Sequence, residues 1–374
     1  IADTMFRLGS VVAGSRYKPV ISSVSIIAAE VAFARRCPNV KHVRIRLWQQ
    51  RNLASVSSEP SQGFGIGKRI AVGVTALIAA SAYWNLRSSN DDKSALDSIP
   101  PSAKDMLVRA QRQIIDGDIV AATSLFREAE ALLKVLSPDS EVVVTTQLRI
   151  ANLEYSQHEW ENAVEYFKLV TQGWVRSGRD METGPMIEVS LKVADCYANL
   201  GQHAEARAGF SWCVATARQN VKNGEDEKEE SLDKRNNSLA LCGMSCDALA
   251  KHMLDATDDV DVQCAIELRK EALEIAIKIN PDNTTQLATA HSNLSTAYFT
   301  AGDMDHAREH ASHALEMATK SSDKPQLHIF QTNLALLETD EATAMELLSL
   351  ALQHAKQNDP TDVTYIQFLI DQRR

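Results

Sequence analysis

From about residue 101 onward one frame of six positions returns four times, and this periodicity restricts the fold more than any other feature of the chain. In its clearest copy it is Ala194, Tyr197, Gly201, Ala206, Phe210 and Cys213, with intervals of 3, 4, 5, 4 and 3 residues. The same spacing gives Ser295, Tyr298, Gly302, Ala307, Ala311 and Ala314. Upstream it gives Ala110, Gln113, Gly117, Ala122, Phe126 and Ala129, then Ala151, Glu154, His158, Ala163, Phe167 and Val170. Steps of three and four residues keep side chains on one helical face, so the frame describes two helices with a break at the glycine. Small residues at the first and fourth positions let the two antiparallel helices approach closely. The glycine accepts the turn, and the aromatic fills the wedge beside the next pair.

This is the tetratricopeptide pattern. Two weaker copies keep only their second helices, Ala265, Arg269, Ala272 and Ala344, Leu348, Ala351. Aligned on the first alanine of the second helix, the six copies fall at Ala122, Ala163, Ala206, Ala265, Ala307 and Ala344. The intervals of 41, 43, 59, 42 and 37 exceed the usual ~34 residues, so helices or connections are extended, as in kinesin light chains. The 59-residue interval holds the charged, non-periodic stretch Asn223 to Arg235, expected to be a solvated loop or helix extension. Val363 to Ile370 can supply the capping helix such stacks need. The expectation is an all-α, tetratricopeptide-type helical-hairpin solenoid over residues 101–374, with about six hairpins and a C-terminal cap.

The N-terminal part differs in charge. Residues 1–90 hold 12 Lys or Arg against Asp3, Glu30 and Glu59, a net of 12 − 3 = +9. The rest holds 39 − 12 = 27 basic and 49 − 3 = 46 acidic residues, a net of −19. A basic, Ser- and Ala-rich, acid-poor head is the composition of a mitochondrial transit peptide, expected here at 1–53. Arg51-Asn52-Leu53 ahead of Ala54-Ser55 resembles a matrix processing site. A short linker, 54–69, leads to Ile70 through Leu86, 17 residues without a charge. At ~1.5 Å per residue that run is a marginal but sufficient membrane span. Lys68 and Arg69 before it, and Tyr83 and Trp84 near its end, suit the two interfaces. A second linker, 87–100, joins it to the repeats. The flanking charges place the N-terminal side in the matrix and the acidic body in the intermembrane space.

An acidic body excludes nucleic acid as a partner, since phosphates need clustered Lys and Arg. No Gly-x-Ser-x-Gly elbow or phosphate-binding loop is present; the glycines at 63–67 lack the strand and helix that would make one. Six cysteines are too few for a disulfide framework. Cys242 and Cys246 stand one turn apart, but no second Cys or His pair lies nearby at zinc spacing. His306-Ala-Arg-Glu309-His310 matches the H-x-x-E-H string of zinc peptidases, with His313 continuing the face. The frame, however, gives the packing face to Ala307, Ala311 and Ala314, beside the histidines. No catalytic residue, cofactor or metal is therefore expected, and the chain is not read as an enzyme.

A stack of this kind binds through the concave face of its first helices. By the frame, Arg149, Asn152, Tyr155, Glu188, Asp195, Asn199, Ser292, Thr296 and Phe299 are the candidate partner-binding residues. Leu148 and Leu191 occupy places where a clamp for a C-terminal carboxylate needs bases.

The layout resembles the tetratricopeptide repeat protein 19 family. It shares the basic presequence, one short span and long repeats to the C-terminus, and its most particular text is Ala194-Asp195-Cys196-Tyr197 through Gly201, then Ala204 to Cys213. The resemblance implies a non-enzymatic factor of the mitochondrial inner membrane. It implies binding to respiratory complex III, the bc1 complex, with a role in its assembly or maintenance, including clearance of Rieske subunit fragments. The competing reading is a mitochondrial import or chaperone co-receptor that binds peptide segments in the repeat groove.

Overall fold

The computed structural model describes residues 99–136, 140–226, 232–255, 261–321 and 326–373. The presequence expected at 1–53, the linker at 54–69 and the span expected at 70–86 lie outside the described residues, as does all of the second linker except residues 99 and 100. Among the described residues no helix is long and apolar enough to cross a membrane.

The described part is an all-helical, tetratricopeptide-like solenoid. Its first hairpin is α1 (Pro101–Asp116) and α2 (Ile119–Leu136), its second α3 (Glu141–Ser156) and α4 (Trp160–Arg176). The third is α5 (Gly184–Asn199) and α6 (His203–Asp226), the fourth α7 (Leu232–Asp255) and α8 (Val262–Ile279). The fifth is α9 (Thr284–Ala301) and α10 (Met304–Lys320), the sixth α11 (Leu327–Leu337) and α12 (Glu341–Asn358). A 3-10 turn, Pro360–Asp362, leads to α13 (Val363–Arg373).

The four strong copies of the frame turn in the same way. Gly117, Gly201 and Gly302 stand at φ of 85°, 74° and 83°, and His158 takes the same left-handed backbone at 61°. In each copy the next amide donates to the carbonyl of the second frame position: Asp118 to Gln113 (2.9 Å), Glu159 to Glu154 (3.0 Å), Gln202 to Tyr197 (2.8 Å) and Asp303 to Tyr298 (3.0 Å). That six-to-one closure satisfies a carbonyl the helix end would otherwise leave open. Several second helices then start on a short acidic cap. Asp118, Asp261, Asp303 and Asp340 each accept the amide three residues on, supplying acceptors to first-turn donors.

The packing follows the frame. Ala122, Ala163, Ala206, Ala265, Ala307 and Ala344 are all fully buried, as are Phe126 and Phe167, and Phe210 nearly so. Each such aromatic stabilises the stack by ~1.5–3 kcal/mol through apolar area removed from water. The long interval has a simple origin: α6 and α7 are each 24 residues, against 16 to 18 in α1 to α5. Most of the charged stretch thus extends two helices. At the far end α13 lays Ile366, Leu369 and Ile370 on Ala335, Leu348 and Ala355. The buried His328 Nε2 and Asp362 Oδ2, 3.0 Å apart, tie α11 to the turn that leads into α13.

Candidate functional site

The first helices of neighbouring hairpins are joined by polar side chains. Between α1 and α3, Arg149 Nη1 reaches Gln111 Oε1 at 3.5 Å, and its guanidinium lies over the Phe126 ring at 5.7 Å. Between α3 and α5 the contact is double. Tyr155 donates its hydroxyl to Asp195 Oδ2 (2.7 Å), and Lys192 Nζ donates to Asn152 Oδ1 (2.8 Å) and to Glu188 Oε1 (2.9 Å). Between α7 and α9, Asn293 Nδ2 donates to both Asp247 oxygens (3.1 and 3.2 Å). Between α9 and α11, Asn333 Nδ2 donates to Ser292 Oγ at 3.2 Å. A half-buried polar rail thus runs along the first-helix side. Burial first, then the charge of Asp195, pushes the Tyr155 phenol well above its ordinary value.

This geometry brings six of the nine candidate residues into the rail, Ser292 through its contact with Asn333. Asn152, Tyr155, Glu188 and Asp195 form the joint between the second and third hairpins, and Arg149 belongs to the joint before it. Asn199 is exposed, and its amide donates to the Asp195 carbonyl at 2.8 Å. In the fifth hairpin Ser292 and Phe299 are buried, at 8% and 4% exposure, while Thr296 is partly exposed and donates to the Ser292 carbonyl. Ser292, Ser295 and Phe299 follow steps of three and four, so they share a stripe with the packing face. Lys192, Gln111 and Asp247 belong to the rail but were not singled out by the frame. The signal for them is spacing: Asn152 to Lys192 and Tyr155 to Asp195 are both 40 residues, one repeat apart.

The histidines of the H-x-x-E-H string are taken up in stacking. Tyr298 has His306 and His310 against its ring at 5.0 and 5.5 Å, and His306 Nδ1 lies 2.7 Å from Asp303 Oδ2. His310 Nδ1 meets His291 Nδ1 from α9 at 3.0 Å, and His313 lies against His291 at 5.3 Å. Burial, then the neighbouring His310 and His313, brings His291 down to about 4.

A second cluster sits where α6, α7 and α8 meet. Arg218 grips both oxygens of Glu271, with Nε 3.0 Å from Oε1. The Cys242 thiol lies 3.7 Å from Glu271 Oε1. The Cys242, Cys246 and Glu271 donor atoms all fall within 4.8 Å of one another. Elsewhere burial alone pushes the Cys213 thiol up to about 12 and dominates the similar rise at Cys196, the behaviour of apolar core cysteines.

The tetratricopeptide repeat family profile matches residues 261–320. The chain is 27% identical over 311 residues to "Tetratricopeptide repeat protein 19, mitochondrial" of Homo sapiens, covering 79% of this chain and 81% of that protein. It is 26% identical over 302 residues to the protein of the same name from Rattus norvegicus, with the same coverage. Among solved structures, the apo form of RapI superposes with a TM-score of 0.54 at 14% identity, covering 72% of this chain and 93% of that one. That likeness concerns the fold alone. Repeats of this kind are scaffolds for contacts between proteins, and the relatives are named mitochondrial. The chain is a tetratricopeptide-type repeat scaffold, similar along most of its length to tetratricopeptide repeat protein 19.

Proposed function

We propose that this chain is a scaffold held in the mitochondrial inner membrane by a single span at 70–86, with its repeats in the intermembrane space. There it binds respiratory complex III and supports its assembly or maintenance, including removal of Rieske subunit fragments. The observation that carries this reading is the similarity to tetratricopeptide repeat protein 19 along four-fifths of both chains. The basic, acid-poor head and the uncharged run from Ile70 to Leu86 support the address and the anchor. The acidic repeat body suits a partner with a basic surface.

The contact face of this reading is the exposed part of the first helices around Arg149, Asn152, Tyr155, Glu188, Asp195, Asn199 and Thr296. Ser292 and Phe299 contribute packing beneath it. Asn199 is the residue with which to test the face, because it is exposed and its side chain bonds a backbone carbonyl within its own helix.

The experiment has two arms in mitochondria expressing the full chain. On native gels the protein should co-migrate with the dimeric bc1 complex, and its loss should lower quinol–cytochrome c reductase activity and leave Rieske fragments on the complex. Asn199→Arg should weaken that co-migration without changing helicity. Protease added to mitoplasts should digest the repeats, whereas intact mitochondria should protect them. Normal reductase activity without the chain, or repeats protected in mitoplasts, would contradict the reading.

A further inference from the structure

Cys242 and Cys246 are one turn apart on α7, and both face inward, with 3% and 0% of their surface exposed. Two thiols on one helix are by themselves only small apolar residues. What changes their meaning is the neighbouring helix. α7 carries Gly243 between them, where an added Cβ would lie 3.2 Å from the Ile275 side chain. This close approach brings α8 near enough for Glu271 to stand over the pair. Its Oε1 is 3.7 Å from Cys242 Sγ, and the three donor atoms lie within 4.8 Å of one another.

The Cys242–Glu271 separation matches what a coordinated ion demands, and the other two pairs lie within 4.8 Å. Metal–sulfur bonds of ~2.3 Å and metal–oxygen bonds of ~2.1 Å at tetrahedral angles set sulfur and oxygen about 3.6 Å apart. Two thiolates and one carboxylate are also the donor set of a borderline-soft divalent cation and not of calcium or magnesium, which take oxygen.

Arg218 fits the same scheme. Its Nε holds Glu271 Oε1 and its Nη2 holds Oε2, so an ion arriving at Oε1 displaces only the Nε contact. The remaining contact to Oε2 orients the ligand carboxylate, as outer partners of metal ligands do. Charge closes as well. A divalent cation with two thiolates and a carboxylate carries one net negative charge, which the guanidinium offsets. The groove beside the cluster, lined by Val221, Leu239, Cys242, Glu274 and Lys278, gives an entry path and room for a water as fourth ligand.

We propose that Cys242, Cys246 and Glu271 form a binding site for one thiophilic divalent cation of the zinc class, with Arg218 as the positioning residue of the carboxylate. The cation pins α7 to α8 in the middle of the stack and releases two thiol protons on binding.

The test is a titration of the reduced full chain with Cd2+, read by its ultraviolet thiolate-to-metal charge-transfer band, with Zn2+ as competitor. The expected result is saturation at one Cd2+ per chain with the intensity of two thiolates, reversed by Zn2+. Cys242→Ser and Cys246→Ser should each remove the saturating band, and Cys264→Ser, an exposed thiol outside the cluster, should leave it. Glu271→Gln should weaken binding roughly tenfold or more, and Arg218→Gln by a similar order, consistent with losses seen for outer partners of metal ligands. Zn2+ should also raise the melting temperature of the native chain but not of Cys242→Ser, a readout that separates a lost site from a misfolded variant. Absence of a saturating band in the native chain, or its survival when both cysteines are replaced, overturns the site. So does a chain isolated with Cys242 and Cys246 as a disulfide that binds no Cd2+ after reduction.

Discussion

The second and fourth hairpins solve the same packing problem with opposite chemistry. In the second, the wedge position four residues after the buried alanine is Phe167, fully buried among apolar neighbours. In the fourth the same position is Arg269, which is also buried. Its Nη1 donates to the Asn293 carbonyl and its Nε lies 3.7 Å from Asp247 Oδ1. Burial lowers the Arg269 pKa while Asp247 pulls the other way. In these two hairpins the wedge is filled by a large side chain, and the charged one has a carboxylate and a carbonyl from the first helices beside it. Asp247 serves both purposes, because Asn293 also donates to it. In the fourth hairpin the polar rail and the wedge share one carboxylate, Asp247.

The largest expected effect breaks what both hairpins share. Ala206→Glu in the third hairpin places a carboxylate at a position with no exposed surface. An unpaired buried charge plus overpacking should cost roughly 5 kcal/mol. Neighbouring hairpins share that interface, so helicity should be lost beyond one repeat. Equilibrium denaturation followed by circular dichroism measures it, and a normally stable variant would mean the frame is misplaced.

The next variant separates the two wedges. Asp247→Ala removes the first of the two carboxylates, Asp247 and Asp255, that act on buried Arg269, and should cost about 3 kcal/mol, the low end for breaking a buried pair because Asp247 is 37% exposed. Arg269→Met, which keeps volume and removes the charge, should be nearly neutral in the same denaturation experiment. Negligible loss in both variants would show that the arginine, like Phe167, acts by volume alone.

Acid should distinguish the fifth hairpin from both. His291 has its folded-state pKa lowered from 6.5 to about 4. The unfolded chain therefore binds its proton first, and stability should fall as pH drops from about 6.5 towards 4. His310 and His313 face it, so the imidazoles repel once charged. Urea midpoints measured across that range should slope less for His291→Asn than for the native chain.

The smallest effect is a gain. His158 adopts the left-handed backbone where the other strong copies have glycine, at a cost of ~1–2 kcal/mol for a side-chain-bearing residue. His158→Gly should recover about 1 kcal/mol, less the edge contact with Trp160 at 4.8 Å, read as a raised melting temperature.

The turns and the hairpin faces were legible because both are local. The glycine at the break and the small residues flanking it act within one or two helical turns. His158 was legible as a frame position from its neighbours alone, although its type argues against a left-handed turn. The polar rail was not legible, because Tyr155 and Asp195, or Asn293 and Asp247, meet across 40 and 46 residues of intervening chain. Glu271 over the cysteine pair was hidden for the same reason. Ser292 and Phe299 were assigned to the open face from their place in the helix, whereas their three-and-four spacing with Ser295 carries them inward. The frame identifies which helices pair; it leaves open which polar residues are used between pairs.

The polar residues of the first helices couple neighbouring hairpins. A double-mutant cycle on Tyr155→Phe and Asp195→Ala, measured by denaturation of the chain without any partner, tests it most directly. A bond of 2.7 Å between them predicts a coupling of about 1 kcal/mol, reduced from the charged-bond range by partial exposure. Effects that simply add, within ~0.3 kcal/mol, would contradict it and return both residues to the free surface.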